Sequence, residues 1–157
     1  MSRWITSIRA DPVAKQDIFT NAHFCIEPCA SCSIPGYLII SSRVPVSSLS
    51  ELSADAQAAL GATLLAATRA IEAVVYPQRV YCALFAEENH SVHFHLFPRS
   101  DWLLSCYSNA HPEDPEISGP RLMDWARRTF QKPIAGMDKN ETFEKVRTWL
   151  TNRTIAG

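Results

Sequence analysis

The chain has 157 residues, of which 46% are hydrophobic and 20% charged, with a formal net charge of -1. That length fits one domain burying roughly two thirds of its unfolded surface, and the composition is that of a folded globular protein rather than a disordered or membrane one. The balanced charge argues against a nucleic-acid binder, and the start, Met1 to Arg9, lacks the apolar core of a signal peptide; with no apolar run of about 18 residues expected to span a bilayer, a cytoplasmic protein is expected. The five cysteines, Cys25, Cys29, Cys32, Cys82 and Cys106, are an odd number in such a chain, so reduced thiols are expected rather than disulfides.

His23-Phe24-Cys25-Ile26 reads as a short strand, followed by a Pro- and Cys-rich loop to Ile34. Pro35-Gly36 suits the centre of a type II turn, because proline presets the first position and glycine accepts positive φ at the second. Tyr37 to Ser41 is then the outgoing strand. From Ser53 the period changes: Leu60, Leu64, Ala67, Ile71 and Val74 or Val75 form one apolar stripe at helical spacing. Ser53 is the predicted N-cap, Asp55 favours the positive first turn, and Pro77 marks the far limit.

Val80 to Ala86 is a nearly continuous apolar run of the kind found inside a sheet. The polar segment Glu87 to His90 links it to a second run, Ser91-Val92-His93-Phe94-His95-Leu96-Phe97-Pro98-Arg99, predicted to be its antiparallel neighbour. Strand side chains alternate faces, so His93 and His95 share one face with Ser91, while Val92, Phe94 and Leu96 face a core. Beyond Arg99 the pattern weakens. A further strand is predicted within Asp101 to Tyr107, with Trp102 and Tyr107 placed near the pocket or a subunit contact. His111 to Glu116 reads as an exposed loop. Pro120 at a helix start followed by Leu122, Trp125, Ala126 and Phe130 predicts a second helix, and Phe143, Val146 and Leu150 a third.

His93-Phe94-His95-Leu96-Phe97-Pro98-Arg99 resembles the signature of the histidine triad (HIT) superfamily, in particular its bacterial dinucleoside polyphosphate hydrolase-like members. Pro35-Gly36-Tyr37 and the strand after it resemble the family's Pro-Gly-His strand, and the amphipathic helix and preceding strand come in the family's order. The similarity covers about residues 20 to 100. The resemblance implies one HIT-like α+β domain over residues 1–157, with a core of about 18–105 and a helical extension of about 106–157. Its mainly antiparallel sheet has about five strands, with the long helix on one face. It also implies a homodimer, with the C-terminal helices covering the shared surface, that binds a small nucleotide and neither nucleic acid nor membrane.

The activity implied is that of a nucleotide hydrolase or nucleotidyl transferase acting at the α-phosphate of a dinucleoside polyphosphate or a nucleoside phosphoramidate. At the matching position, His93 attacks phosphorus and forms a nucleotidyl-histidine intermediate. Neutral imidazole is available near pH 7, and it attacks through one nitrogen only if the other keeps its proton, which a backbone carbonyl would fix. His95 would donate to a non-bridging phosphate oxygen as charge builds there. Two positions depart from the family pattern. Ser91 stands at the first triad place, where it can hydrogen-bond but carries no charge. Tyr37 stands where a pocket histidine is common, so base or ribose recognition is expected to differ. Asn89 is the neutral donor expected at the phosphates, because Glu87 and Glu88 would repel them. His90 lies one residue out of phase and needs a bulge to join the site. Arg99 is either a screen for substrate charge or a surface ion-pair partner.

Two other chemistries compete. A His-x-His strand pair can ligate a metal, for which His90, His111, Glu113 and Glu116 are the remaining ligand candidates, none at a recognisable spacing. Cys29-Ala30-Ser31-Cys32 is a lone C-x-x-C. Some HIT relatives bind a structural zinc through an N-terminal cysteine pair with histidines, but here the pair follows the first strand, so no zinc is expected and the chemistry needs no cofactor. A nucleotide-binding module with little turnover is the third reading.

Overall fold

The computed structural model describes residues 17–154. Five strands, β1 (Phe19–Thr20), β2 (Phe24–Pro28), β3 (Leu38–Ser42), β4 (Arg79–Ala83) and β5 (His93–Arg99), form one sheet in the order β1-β2-β3-β5-β4. All four pairings are antiparallel. With helices α1 (Ala54–Val75), α2 (Asp101–Ala110), α3 (Gly119–Thr129) and α4 (Lys139–Thr154), this is the expected α+β class. The two-residue β1 is too short to leave a periodic trace in the sequence.

The Pro35-Gly36 turn takes the expected form. Gly36 has φ +75°, and Tyr37 N donates to Ile34 O at 3.3 Å. A side chain there would collide with the end of α1, since a Cβ on Gly36 would lie 2.5 Å from Cγ2 of Val75. The start of α1 also follows its sequence signals: Ser53 Oγ accepts from Ala56 N at 3.2 Å, with Asp55 in the first turn. The helix stops at Tyr76, which adopts a left-handed conformation just before Pro77.

The two faces of the sheet bury different sets of residues. On one, Phe24, Ile26, Leu38, Ile40, Phe94 and Leu96 meet Ala67, Ala70 and Ile71 of α1 and Phe143, Val146 and Leu150 of α4. Each large side chain so buried contributes roughly 1.5–3 kcal/mol. On the other face, Tyr37 and Phe97 meet Leu103 and Tyr107 of α2 and Leu122, Met123 and Ala126 of α3. The second face is covered in part by α2 and α3 and in part left as a cavity.

Several expectations are corrected. Residues 101–107 are the start of α2, not a strand: Ser100 Oγ caps the helix by accepting from Leu103 N, and Leu103 and Tyr107, four apart, are buried. Val80 to Ala86 is not an inner strand, because β4 ends at Ala83 and lies at the sheet edge. Its run is apolar because both faces are used, with Val80 against the α1 cluster and Tyr81 against the α2–α3 cluster. α1 is, contrary to the reading of the sequence, long and apolar enough to cross a membrane; here it lies along the sheet with Ala67, Ala70 and Ile71 fully buried. Phe143, Val146 and Leu150 of α4 pack within the chain, in the α1 cluster. Tyr107 and Trp102 belong to the α2–α3 cluster, where Tyr107 Oη donates to Asp114 Oδ2 at 2.8 Å and Trp102 packs on Phe130.

Candidate active site

The alternation of β5 decides where its histidines go. Phe94 and Leu96 enter the core beside α1, which sends His93, His95 and Phe97 to the opposite face. There the register sets Ser41 beside His93 and Ile39 beside His95 on β3, and Ala83 beside His95 on β4. These five residues line a cavity of about 860 Å³, within the range of small-molecule sites. Phe85 to Asn89, between β4 and β5, and Cys29, after β2, also line it. From α3 come Gly119, Pro120, Met123, Asp124 and Arg127.

The rings of His93 and His95 stand 4.9 Å apart between centroids, edge to face. His93 Nδ1 lies 2.8 Å from the backbone oxygen of Ser91. A carbonyl only accepts, so Nδ1 carries the proton and the lone pair of the neutral ring is on Nε2. His95 Nδ1 lies 2.7 Å from the hydroxyl of Tyr37, and the rings of Tyr37, Phe97 and Phe85 lie around that contact. Burial, then His93, then the charge of Arg127 push the His95 imidazole down to about 4, so it is neutral in the neutral pH range. Burial pushes the Tyr37 phenol up, which keeps it protonated.

The residues singled out in the sequence fall into two groups. His93, His95 and Asn89 line the cavity; Asn89 Oδ1 also accepts from Ser91 N at 3.1 Å. The others are placed differently. Ser91 precedes the strand, which begins at His93, and it is the Ser91 carbonyl that meets the ring. His90 is exposed with Nδ1 3.2 Å from Ala86 O, and no bulge brings it into the cavity lining. Tyr37 is fully buried behind His95 rather than lining the cavity. Arg99 lies outside it as well: its guanidinium donates to Tyr81 Oη at 2.9 Å, Gln78 Oε1 at 3.2 Å and Ile117 O at 3.4 Å, tying β4 and the approach to α3 to the end of β5.

Sequence reasoning missed the wall contributed by α3. Its signal was present, because Pro120, Met123 and Arg127 recur at helical spacing and so share a face. It also missed the state of the cysteine pair. Cys32 Sγ donates to Cys29 Sγ at 3.4 Å, and this contact, helped by Ser31 and Arg127, brings the Cys29 thiol down to about 6 against the cost of burial. The Cys32 thiol is pushed up in turn.

Among the described residues, Asp17, Cys25 and Glu27 form the group of three potential metal ligands whose donor atoms lie close together. Neither the His93–His95 pair nor the Cys29–Cys32 pair belongs to it, and His111 is turned toward Tyr107, Trp125 and Glu113.

No family model and no curated protein matches the sequence. Solved structures do resemble the fold. A zinc-bound histidine triad family protein from Mycobacterium smegmatis aligns over 92% of this chain and 90% of its own, with TM-score 0.59 and 14% identity. A histidine triad protein from Bradyrhizobium japonicum covers 87% of each chain, with TM-score 0.58 and 17% identity. A hypothetical histidine triad nucleotide-binding protein from Sulfolobus tokodaii covers 87% of this chain and 84% of its own, with TM-score 0.58 and 11% identity. The likeness extends beyond the 20–100 segment legible in the sequence, since coverage of 92% must include much of the C-terminal helical region.

Proposed function

We propose that this chain, which has the fold of histidine triad proteins, is a nucleotide hydrolase or nucleotidyl transferase acting through His93. The observation that carries the reading is the contact of His93 Nδ1 with Ser91 O at 2.8 Å. It holds the proton on one ring nitrogen, so Nε2 is a nucleophile at neutral pH without a separate base. In the first step Nε2 bonds to the α-phosphorus of a dinucleoside polyphosphate or nucleoside phosphoramidate, and the bond from phosphorus to the leaving oxygen or nitrogen breaks. The leaving group departs with the electron pair of that bond. In the second step water, or another hydroxyl acceptor, attacks the same phosphorus, loses a proton and releases the nucleotide from His93.

His95 supports both steps electrostatically. With the Tyr37 phenol donating to Nδ1, Nε2–H of a neutral His95 is a donor for a non-bridging oxygen as negative charge grows there. Asn89, on the cavity rim, is a neutral donor for the departing group. Tyr37 acts through His95 and is a positioning residue. The same reading makes the protein a homodimer, which light scattering at micromolar concentration would test.

The deciding experiment incubates the protein with diadenosine polyphosphate or a fluorogenic adenosine phosphoramidate in EDTA. Intact mass is then read for a nucleotidyl adduct that His93→Ala abolishes together with turnover. Turnover by His93→Ala at the wild-type rate would overturn the assignment of the nucleophile. Nucleotide binding by the wild type without any turnover would reduce the protein to a binding module.

A further inference from the structure

Arg127 lines the cavity without a hydrogen-bond or ion-pair partner among the described residues. It reaches the cavity from the face of α3 that also presents Met123. Its Nε is buried with no hydrogen-bond partner, and among the described residues no carboxylate pairs with its guanidinium. The nearest acidic residue in sequence, Asp124, is held by Arg128 Nε at 3.1 Å instead. A guanidinium partly withdrawn from water without an anion is costly. Folding alone gives no reason to keep one on a cavity wall.

Its helix is anchored against the Cys29–Cys32 segment: Ser33 N donates to Phe130 O at 2.6 Å, and Met123 and Ala126 pack with Cys29, Cys32 and Tyr37, so the charge of Arg127 acts on His95, Cys29, Cys32 and Tyr37. Tyr37 and Cys29 are neighbours through the bond from Cys29 N to Tyr37 O, beyond His95 as seen from the segment that precedes His93. Arg127 therefore serves the His95 end of the cavity, while Asn89 and Ser91 flank the His93 end. Among the described residues it is the one arginine or lysine in the lining. A planar fork with a permanent charge recognises phosphate through paired hydrogen bonds.

We propose that Arg127 forms a second anion subsite in this cavity, which takes a phosphate joined to the one that His93 attacks and so selects nucleotides with at least two phosphates over monophosphates. The subsite rests on the nucleotide reading of His93 but makes a separate demand: recognition of the second phosphate passes through one α3 side chain.

The test is calorimetric titration of the full chain with AMP, ADP and inorganic pyrophosphate, for the wild type, Arg127→Met and Arg127→Lys. Melting temperatures establish that the variants fold; Arg127→Met deletes an unpartnered charge and is expected to melt no lower than the wild type. A charge-assisted contact corresponds to about a tenfold or greater change in affinity. The wild type should bind ADP at least about tenfold more tightly than AMP. Arg127→Met should bring the two together by weakening ADP and leave AMP within about twofold, with Arg127→Lys between. An unchanged ADP preference in Arg127→Met, or equal weakening of AMP and ADP, would overturn the subsite while leaving the nucleotide reading intact. Arg127-dependent binding of pyrophosphate with no binding of either nucleotide would keep the anion subsite and overturn the nucleotide reading. Binding of none of the three by the wild type would overturn both.

Discussion

The hydroxyl of Tyr37 and Nδ1 of His95 are 2.7 Å apart in a buried contact at the back of the cavity, joining the turn after Pro35-Gly36 to the histidine strand. Tyr37→Phe keeps the ring packing against Phe97 but leaves Nδ1 without this partner. The expected cost is about 1–3 kcal/mol of stability, the usual penalty for a buried polar group left unpaired, read from urea denaturation. Turnover should fall as well, because the His95 proton is no longer assigned to one nitrogen.

His95 also makes stability depend on pH. Its imidazole is held at about 4 in the fold, against an ordinary value of 6.5. Above pH 6.5 both folded and unfolded forms are neutral and the group is silent. As pH falls from 6.5 toward 4, the unfolded chain takes up a proton that the fold refuses, so stability is lost across that window, up to about 3 kcal/mol. Denaturation midpoints should fall more steeply between pH 7 and pH 4.5 in the wild type than in His95→Asn; equal losses in the two would show that His95 is not the cause.

Cys29, which lines the cavity, should react ahead of Cys25 at neutral pH. With its thiol near 6 and Cys25 pushed up to about 11, largely by burial, iodoacetamide at pH 7 should label Cys29 before Cys25, as read by peptide mass spectrometry. Cys32→Ala removes the donor that stabilises the thiolate, so the pH midpoint for labelling Cys29 should move upward. An unmoved midpoint would show that the Cys32 contact is not the cause.

Gly36→Ala tests the joint between turn and helix. Alanine at φ +75° is strained, and its Cβ would press on Val75. The expected destabilisation is about 2–3 kcal/mol, combining the left-handed penalty with displacement of the α1 end. Thermal unfolding measures it.

Local chemistry made much of this fold readable. Ser53 and Pro77 bracket α1, Pro35-Gly36 dictates its turn, and the alternation of His93 with Phe94 and of His95 with Leu96 states which face is core. Residues whose roles depend on distant partners were harder to read. Arg99 next to a histidine strand resembles a substrate ligand until Tyr81, Gln78 and Ile117 are seen to occupy it. Residues 101–107 lack a long periodic pattern, and the Ser100 cap that makes them helical is a single residue. Tyr37 looked like an altered pocket contact because a sequence does not reveal that its hydroxyl ends on His95. Arg127 was invisible because nothing in its neighbourhood along the chain points to β5.

The contact between Ser91 O and His93 Nδ1 has a consequence for how this strand can vary. The group that orients the ring is a peptide oxygen, present whatever side chain stands at position 91. The side chain at position 91 therefore leaves the ring's tautomer untouched, and that position is open to substitution. What must be inherited unchanged is the path of the main chain into β5.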